Sequence, residues 1–156
     1  MTNNDIFTLL ANSLKLTEKT IIKIFALADF KVTPQQVSNW LIKEAEESEA
    51  PVEATKLSGT ELALFLNGFI NHKRGKREGA QPKPEAHLNN NMVFQKLRIA
   101  LNLKAEDILN IFELVDVHFS KHEISAFFRK PENKHYRDCH DQTLKSFLEG
   151  VEYQYE

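Results

Sequence analysis

NNNMVFQKLRIALNLKAEDILNIF, running from Asn89 to Phe112, restates NNDIFTLLANSLKLTEKTIIKIF, which runs from Asn3 to Phe25. An offset of 87 aligns Asn3 to Lys43 with Asn90 to Lys130 without a gap. Identical pairs include Asn4/Asn91, Phe7/Phe94, Leu10/Leu97, Ile21/Ile108, Ile24/Ile111, Phe25/Phe112 and Asp29/Asp116. Conservative pairs such as Val37/Ile124, Trp40/Phe127 and Leu41/Phe128 continue the match. Farther on, the offset falls to 82: Leu62, Phe65, Leu66 and Gly68 meet Leu144, Phe147, Leu148 and Gly150. The internal loop of the second copy is therefore five residues shorter (87 against 82). Apolar positions that match, with the length change confined to a polar stretch, are what one fold used twice requires.

The spacing within each copy is helical. Phe7, Leu10 and Leu14 recur at steps of three and four, as do Ile21, Ile24, Phe25 and Ala28. Val37, Trp40 and Leu41 follow, then Leu62, Phe65, Leu66 and Phe69. Such steps place apolar side chains on one stripe of a 3.6-residue helix. No stretch sustains a period of two, so no sheet is expected. The fold class is all-α: a tandem duplication of a four-helix unit packed into one globular body. Its expected parts are repeat 1 at 3–72, a linker at 73–88 and repeat 2 at 89–154. Asn4 and Asn91 stand as candidate N-caps. Thr33 with Gln36, and Ser120 with Glu123, form capping-box patterns, and Pro34 suits a first helical position. A glycine late in the fourth helix of both copies, Gly68 and Gly150, suggests close backbone approach, and the two fourth helices are expected to meet each other.

The chain has 156 residues, 42% hydrophobic and 27% charged, with a formal charge of −2. That is the balance of a globular domain with no global pull toward nucleic acid or anionic lipid. One cysteine, Cys139, rules out an intramolecular disulfide, and a cytoplasmic setting is expected. No apolar run approaches the roughly 18–20 residues that span a bilayer, so no membrane partner is expected.

Three segments carry chemical side chains. HYRDCHD, His135 to Asp141, holds two histidines, a cysteine and acids. Cys139 aligns with Leu57, however, which marks it as a small buried apolar residue. A second cysteine, usual in paired structural zinc motifs, is absent from the sequence. No metal, cofactor or catalytic residue is therefore assigned. Asp29 and Asp116 recur at a helix C-terminal region, where an acid is disfavoured by the dipole. A local turn or a hydrogen bond to the following helix is the first explanation, and a pseudosymmetric pair of functional acids is the second. HKRGKR, His72 to Arg77, places Lys73, Arg74, Lys76 and Arg77 within six residues. Such a loop grips phosphates, or gathers cations against a helix C-terminus. Ile21 to Leu41 has a faint helix-turn-helix outline, with Gln35, Gln36, Ser38 and Asn39 as its outward residues.

NNDIFTLL, FLNGFINHKRGK, NNNMVFQKLRIALNLKAEDIL and PENKHYRDCHDQTLKSFLEG together resemble the YehS family, over essentially the whole chain. That is a bacterial group of unknown function with an internal repeat. The resemblance implies a small, all-helical, cytoplasmic protein and supplies no activity. Arg74, Gly75 and Lys76 fit the family pattern, whereas His140 stands where the pattern has glycine, which lowers its standing as a ligand or base. The leading expectation is a non-enzymatic protein-interaction or regulatory module, a homodimer being compatible with it. The alternative is a nucleic-acid-associated protein that uses the basic loop, and a distant third is a metal-dependent enzyme around His135 to Asp141.

Overall fold

A computed structural model of the chain describes residues 1–43 and 53–155. The run from Glu44 to Val52, read above as loop, lies outside the described residues. Every regular element among those described is helical. Repeat 1 holds α1 (Asn3–Ser13), α2 (Glu18–Leu27), α3 (Pro34–Trp40) and α4 (Gly59–Arg74). Repeat 2 holds α5 (Asn90–Ala100), α6 (Ala105–Glu113), α7 (Lys121–Ala126) and α8 (Asp141–Gln154). The chain divides into two compact units, Met1–His87 and Leu88–Glu156. The fourth helix of repeat 1 runs on through Arg74, and so takes in Lys73 and Arg74.

Each unit closes around four aromatic rings, one from each helix or, for Phe127, from its C-cap. In repeat 1 these are Phe7, Phe25, Trp40 and Phe65; in repeat 2 they are Phe94, Phe112, Phe127 and Phe147. Phe7 meets Phe65 edge-on with centroids 5.0 Å apart, and Phe94 lies 4.6 Å from Phe147. Phe25–Phe65 and Phe112–Phe147 stand at 5.4 and 5.8 Å. These are favourable offset geometries, each worth about 0.5–1.5 kcal/mol beyond area burial.

Gly68 and Gly150 have a packing reason inside their own repeats. A Cβ at Gly68 would collide with the Ile24 carbonyl on α2, and one at Gly150 with the Ile111 carbonyl on α6. The close approach expected of these glycines is present. The backbone that demands it belongs to the second helix of the same repeat.

The paired asparagines correct an expectation. The N-caps of α1 and α5 are Thr2 and Asn89, whose side-chain oxygens accept from the Asp5 and Met92 amides at 3.0 and 2.9 Å. Asn4 and Asn91 lie two residues past these caps, in the first turn, buried, and clamp the chain that returns from the third helix. Asn4 Nδ2 donates to the carbonyls of Trp40 (2.9 Å) and Thr55 (2.8 Å), and its Oδ1 accepts the Leu57 N–H at 3.0 Å. Asn91 does the same with Phe127 (3.0 Å), Arg137 (2.8 Å) and the Cys139 N–H (2.8 Å). The preceding asparagines finish the strap: Asn3 Nδ2 reaches the Leu57 carbonyl at 3.2 Å, and Asn90 Nδ2 the Cys139 carbonyl at 3.0 Å. The strap is also tied to the third helix, through Thr55 N–H to the Asn39 carbonyl (2.8 Å) and Arg137 N–H to the Ala126 carbonyl (3.1 Å). Asn-Asn is thus a device for holding an irregular strand over a helix start, where its buried amides would otherwise lack partners.

The capping boxes stand as the sequence has them, at Thr33/Gln36 and Ser120/Glu123, with others at Thr2/Asp5 and Ser58/Glu61.

Removing one carboxamide leaves three backbone groups without their partner, two of them in buried contacts. Asn4→Ala and Asn91→Ala are each expected to cost about 3 kcal/mol in urea unfolding, and Asn3→Ala about 1 kcal/mol. A loss below about 1 kcal/mol for both buried asparagines would contradict the clamp. Gly68→Ala and Gly150→Ala should each destabilise by about 3 kcal/mol or more by the same measurement, because the obstacle is backbone rather than a movable side chain.

Candidate functional site

Asp29 and Asp116 occupy equivalent left-handed turns. Their φ angles are 58° and 62°, and Lys15 and Asn102 take the same conformation after the first helix of each repeat, at 53° and 54°. In each case the next residue's amide reaches back to close the helix end: Phe30 N–H to the Phe25 carbonyl and Val117 N–H to the Phe112 carbonyl, both at 3.0 Å. These are Schellman-type caps, in which an L-residue at positive φ costs about 1–2 kcal/mol and Asp or Asn suffers least. Each acid thus has a backbone reason to recur.

In repeat 1 that acid meets the basic segment. The Lys76 ammonium lies 2.8 Å from Asp29 Oδ1, both groups being exposed. Asp116 in repeat 2 has His118 Nε2 at 3.4 Å instead. Exposed pairs of this kind contribute about 0–1 kcal/mol, so the contact fixes the place of Lys76 more than it stabilises the fold.

The other basic residues have different surroundings. Lys73 and Arg74 end α4, where their charges face the negative end of the helix dipole. The Lys73 ammonium lies over the Phe69 ring, 5.9 Å from its centroid. His72 stacks on the same ring, and partial burial with the charges of Lys73 and Lys23 lowers its pKa, which favours the neutral imidazole at pH 7. Gly75 stops the helix at φ 94°, a conformation open to glycine. The turn beyond is held by buried Asn71. Its Nδ2 donates to the Leu27 carbonyl and to Gln81 Oε1, both at 2.8 Å, and its Oδ1 accepts the Arg77 amide at 3.3 Å. The guanidinium groups of Arg74 and Arg77 have no partner among the described residues, and both are exposed. Of the four cations in the basic segment, two are engaged and two are presented on a built turn.

HYRDCHD has become the strap of repeat 2. Cys139 fills the place of Leu57 and is 5% exposed. Burial, together with the charge of Asp141 and against that of Arg137, pushes its thiol up to about 12, away from the thiolate a nucleophile needs. Arg137 braces the strap, its guanidinium 5.3 Å from the centroid of Phe127 and 3.2 Å from Glu123 Oε2. Among the described residues no three His, Cys, Asp or Glu side chains converge as a metal would require. The outward residues of α3 are as read: Gln35, Gln36 and Asn39 are exposed and Ser38 is half-buried.

A cavity that the sequence reading missed lies in repeat 2. It holds about 290 Å³ and is lined by Arg98, Ala105, Ile108, Ile124, Ser125, Phe128 and Arg129. The signal for it was present in the alignment. Arg98 and Arg129 stand where repeat 1 has Ala11 and Ile42, two of several positions at which the copies differ in charge.

The chain matches the family described as "Protein of unknown function (DUF1456)" twice, over residues 3–75 and 90–156. It belongs to the DUF1456 family. The two matched segments correspond to the two helical units. Among curated relatives, the chain is 40% identical to "Uncharacterized protein YehS" of Escherichia coli (strain K12) over 152 residues, covering 97% of this chain and 94% of that one. The YehS-like resemblance is thereby shown. No solved structure matches the chain. No helix among the described residues is long and apolar enough to cross a membrane.

The thiol gives a direct check on the strap. Its folded pKa is raised above the unfolded value, so its contribution to stability is whole below about pH 9 and is lost as the pH rises through about 12. At pH 8 an aromatic disulfide reagent should leave native Cys139 unmodified over hours and titrate it fully once urea unfolds the chain. Rapid labelling of the native protein would show the strap to be open.

Proposed function

We propose that this DUF1456 protein is a non-enzymatic binding module that engages a partner protein through the basic turn closing α4, with the cytoplasm as its setting. The observation that carries this reading is the construction of the turn. Asn71 fixes it from beneath, Asp29 holds Lys76 to one side, and Arg74 and Arg77 are left to present their guanidinium groups. Arginine on an ordered support loses little freedom on binding and is enriched among residues that dominate protein interfaces. An acidic patch on the partner answers it best.

Crosslinking affinity purification from cells producing the full chain tests this, with wild type and Arg74→Ala/Arg77→Ala side by side. The same protein should be recovered reproducibly with wild type and fall about tenfold with the double variant. Equal recovery with both chains would remove the turn from the interface.

Nucleic acid is the second reading, favoured by the clustering of like charge in five residues, Lys73 to Arg77. It is tested by fluorescence anisotropy with duplex DNA and single-stranded RNA at about 50 and 200 mM salt. Binding that weakens steeply with salt and disappears in Lys73→Ala/Arg74→Ala/Lys76→Ala/Arg77→Ala would transfer the turn to phosphate recognition. With Lys76 engaged by Asp29, a shallow salt slope or no binding is expected.

A further inference from the structure

We propose that the cavity of repeat 2 is a binding site for a small organic oxyanion, a carboxylate or phosphate carried on a short apolar stem. The cavity is independent of the basic turn. Half-buried Phe128 and Ala105 line it with the fully buried Ile108 and Ile124 behind, and two arginines and Ser125 line the same space. Its volume, about 290 Å³, sits at the lower end of small-ligand sites. A handful of polar groups over an apolar lining is the usual composition of such sites.

Arg98 is held in place before any ligand arrives. Its guanidinium lies 4.8 Å from the Phe128 centroid, and Nη1 is 3.5 Å from Gln95 Oε1. The Arg129 guanidinium has no partner among the described residues and is exposed. The nearby acids are engaged elsewhere. Glu106 pairs with Lys121 at 3.0 Å, and Glu123 pairs with Arg137 at 3.2 Å. Asp107 accepts the Lys104 amide at 2.8 Å. Glu106 and Glu123 are thus paired with cations of their own, and a planar guanidinium suits the two oxygens of a carboxylate or phosphate.

Repeat 1 shows what the same frame looks like without the site. Ala11 and Ile42 replace the arginines, Glu18 replaces Ala105, and Leu41 replaces Phe128. Ser38, the counterpart of Ser125, instead accepts from the Lys43 ammonium at 2.7 Å. Every one of these exchanges removes positive charge, adds negative charge or removes the ring that supports Arg98. Together these differences give the cavity of repeat 2 a positive charge that the equivalent positions of repeat 1 do not carry.

The repeat also supplies the control substitutions. Arg98→Ala and Arg129→Ile install the residues that repeat 1 already folds with, and circular dichroism checks that the helices persist. Full-length protein labelled with 15N is titrated with benzoate, phenyl phosphate and inorganic phosphate to about 10 mM. Saturable amide shifts are expected at Ala105, Ser125 and Phe128 with benzoate or phenyl phosphate, and whichever binds tighter names the oxyanion. Inorganic phosphate should bind more weakly, having no stem for the apolar lining. Either variant should lower affinity about tenfold or more, while Arg74→Ala/Arg77→Ala leaves it unchanged. The proposal is overturned if neither organic anion shifts those amides, if folded variants bind as wild type does, or if inorganic phosphate matches phenyl phosphate.

Discussion

A carboxamide set between a helix start and a returning chain is the interaction on which each repeat depends. Asn4 and Asn91 each satisfy three backbone groups that no regular element could reach. The strap they hold delivers Leu57 or Cys139 into the core and leads directly into the N-terminus of α4 or α8. From there the fourth helix can lie against the second at glycine distance, and the four aromatic rings can close. Removing the clamp would leave buried polar groups unpaired and the fourth helix without a fixed entry. Neither an apolar side chain nor a shorter polar one offers both a donor and an acceptor at that reach.

The two repeats keep this frame and vary what it presents. Acids at left-handed turns, asparagine pairs and close-contact glycines recur because backbone geometry demands them. The charges that do not recur are of another kind. At the offset of 82, Lys73 and Arg74 align with Tyr155 and Glu156, and at 87 Arg98 and Arg129 align with Ala11 and Ile42. Duplication thus frees one surface of each unit to specialise, while the polar positions common to both remain tied to architecture. Recurrence in a duplicated chain marks what holds the fold, and departure from recurrence marks where binding is to be sought.

Much of the fold could be read from residues, and the failures have physical causes. Helical spacing and the aligned rings revealed eight helices and their buried faces, because periodicity records burial directly. Cys139 was legible as core through its alignment with Leu57. Asn4 and Asn91 were misread as caps because a cap and a clamp differ only in where the carboxamide points, and that depends on a chain segment some fifty residues away. The neighbour of Gly68 was hidden for a similar reason: the sequence shows that close approach is needed, not which backbone approaches. The Lys76–Asp29 contact joins residues 47 apart and leaves no periodic trace. The cavity needed the third dimension as well, since Arg98 and Arg129 lie on different elements and only folding brings them to one wall.

Native-state hydrogen exchange of the Leu57 and Cys139 amides tests the clamp most directly. Both N–H groups lie outside helices, and each is held by an asparagine side-chain oxygen alone, at 3.0 and 2.8 Å. The expected result is protection equal to that of the slowest core amides of the same repeat, with exchange only through unfolding of that unit. Exchange at the rate of an open loop, while α2 and α6 stay protected, would show that the helices stand without the strap and that the asparagines do not hold the fold.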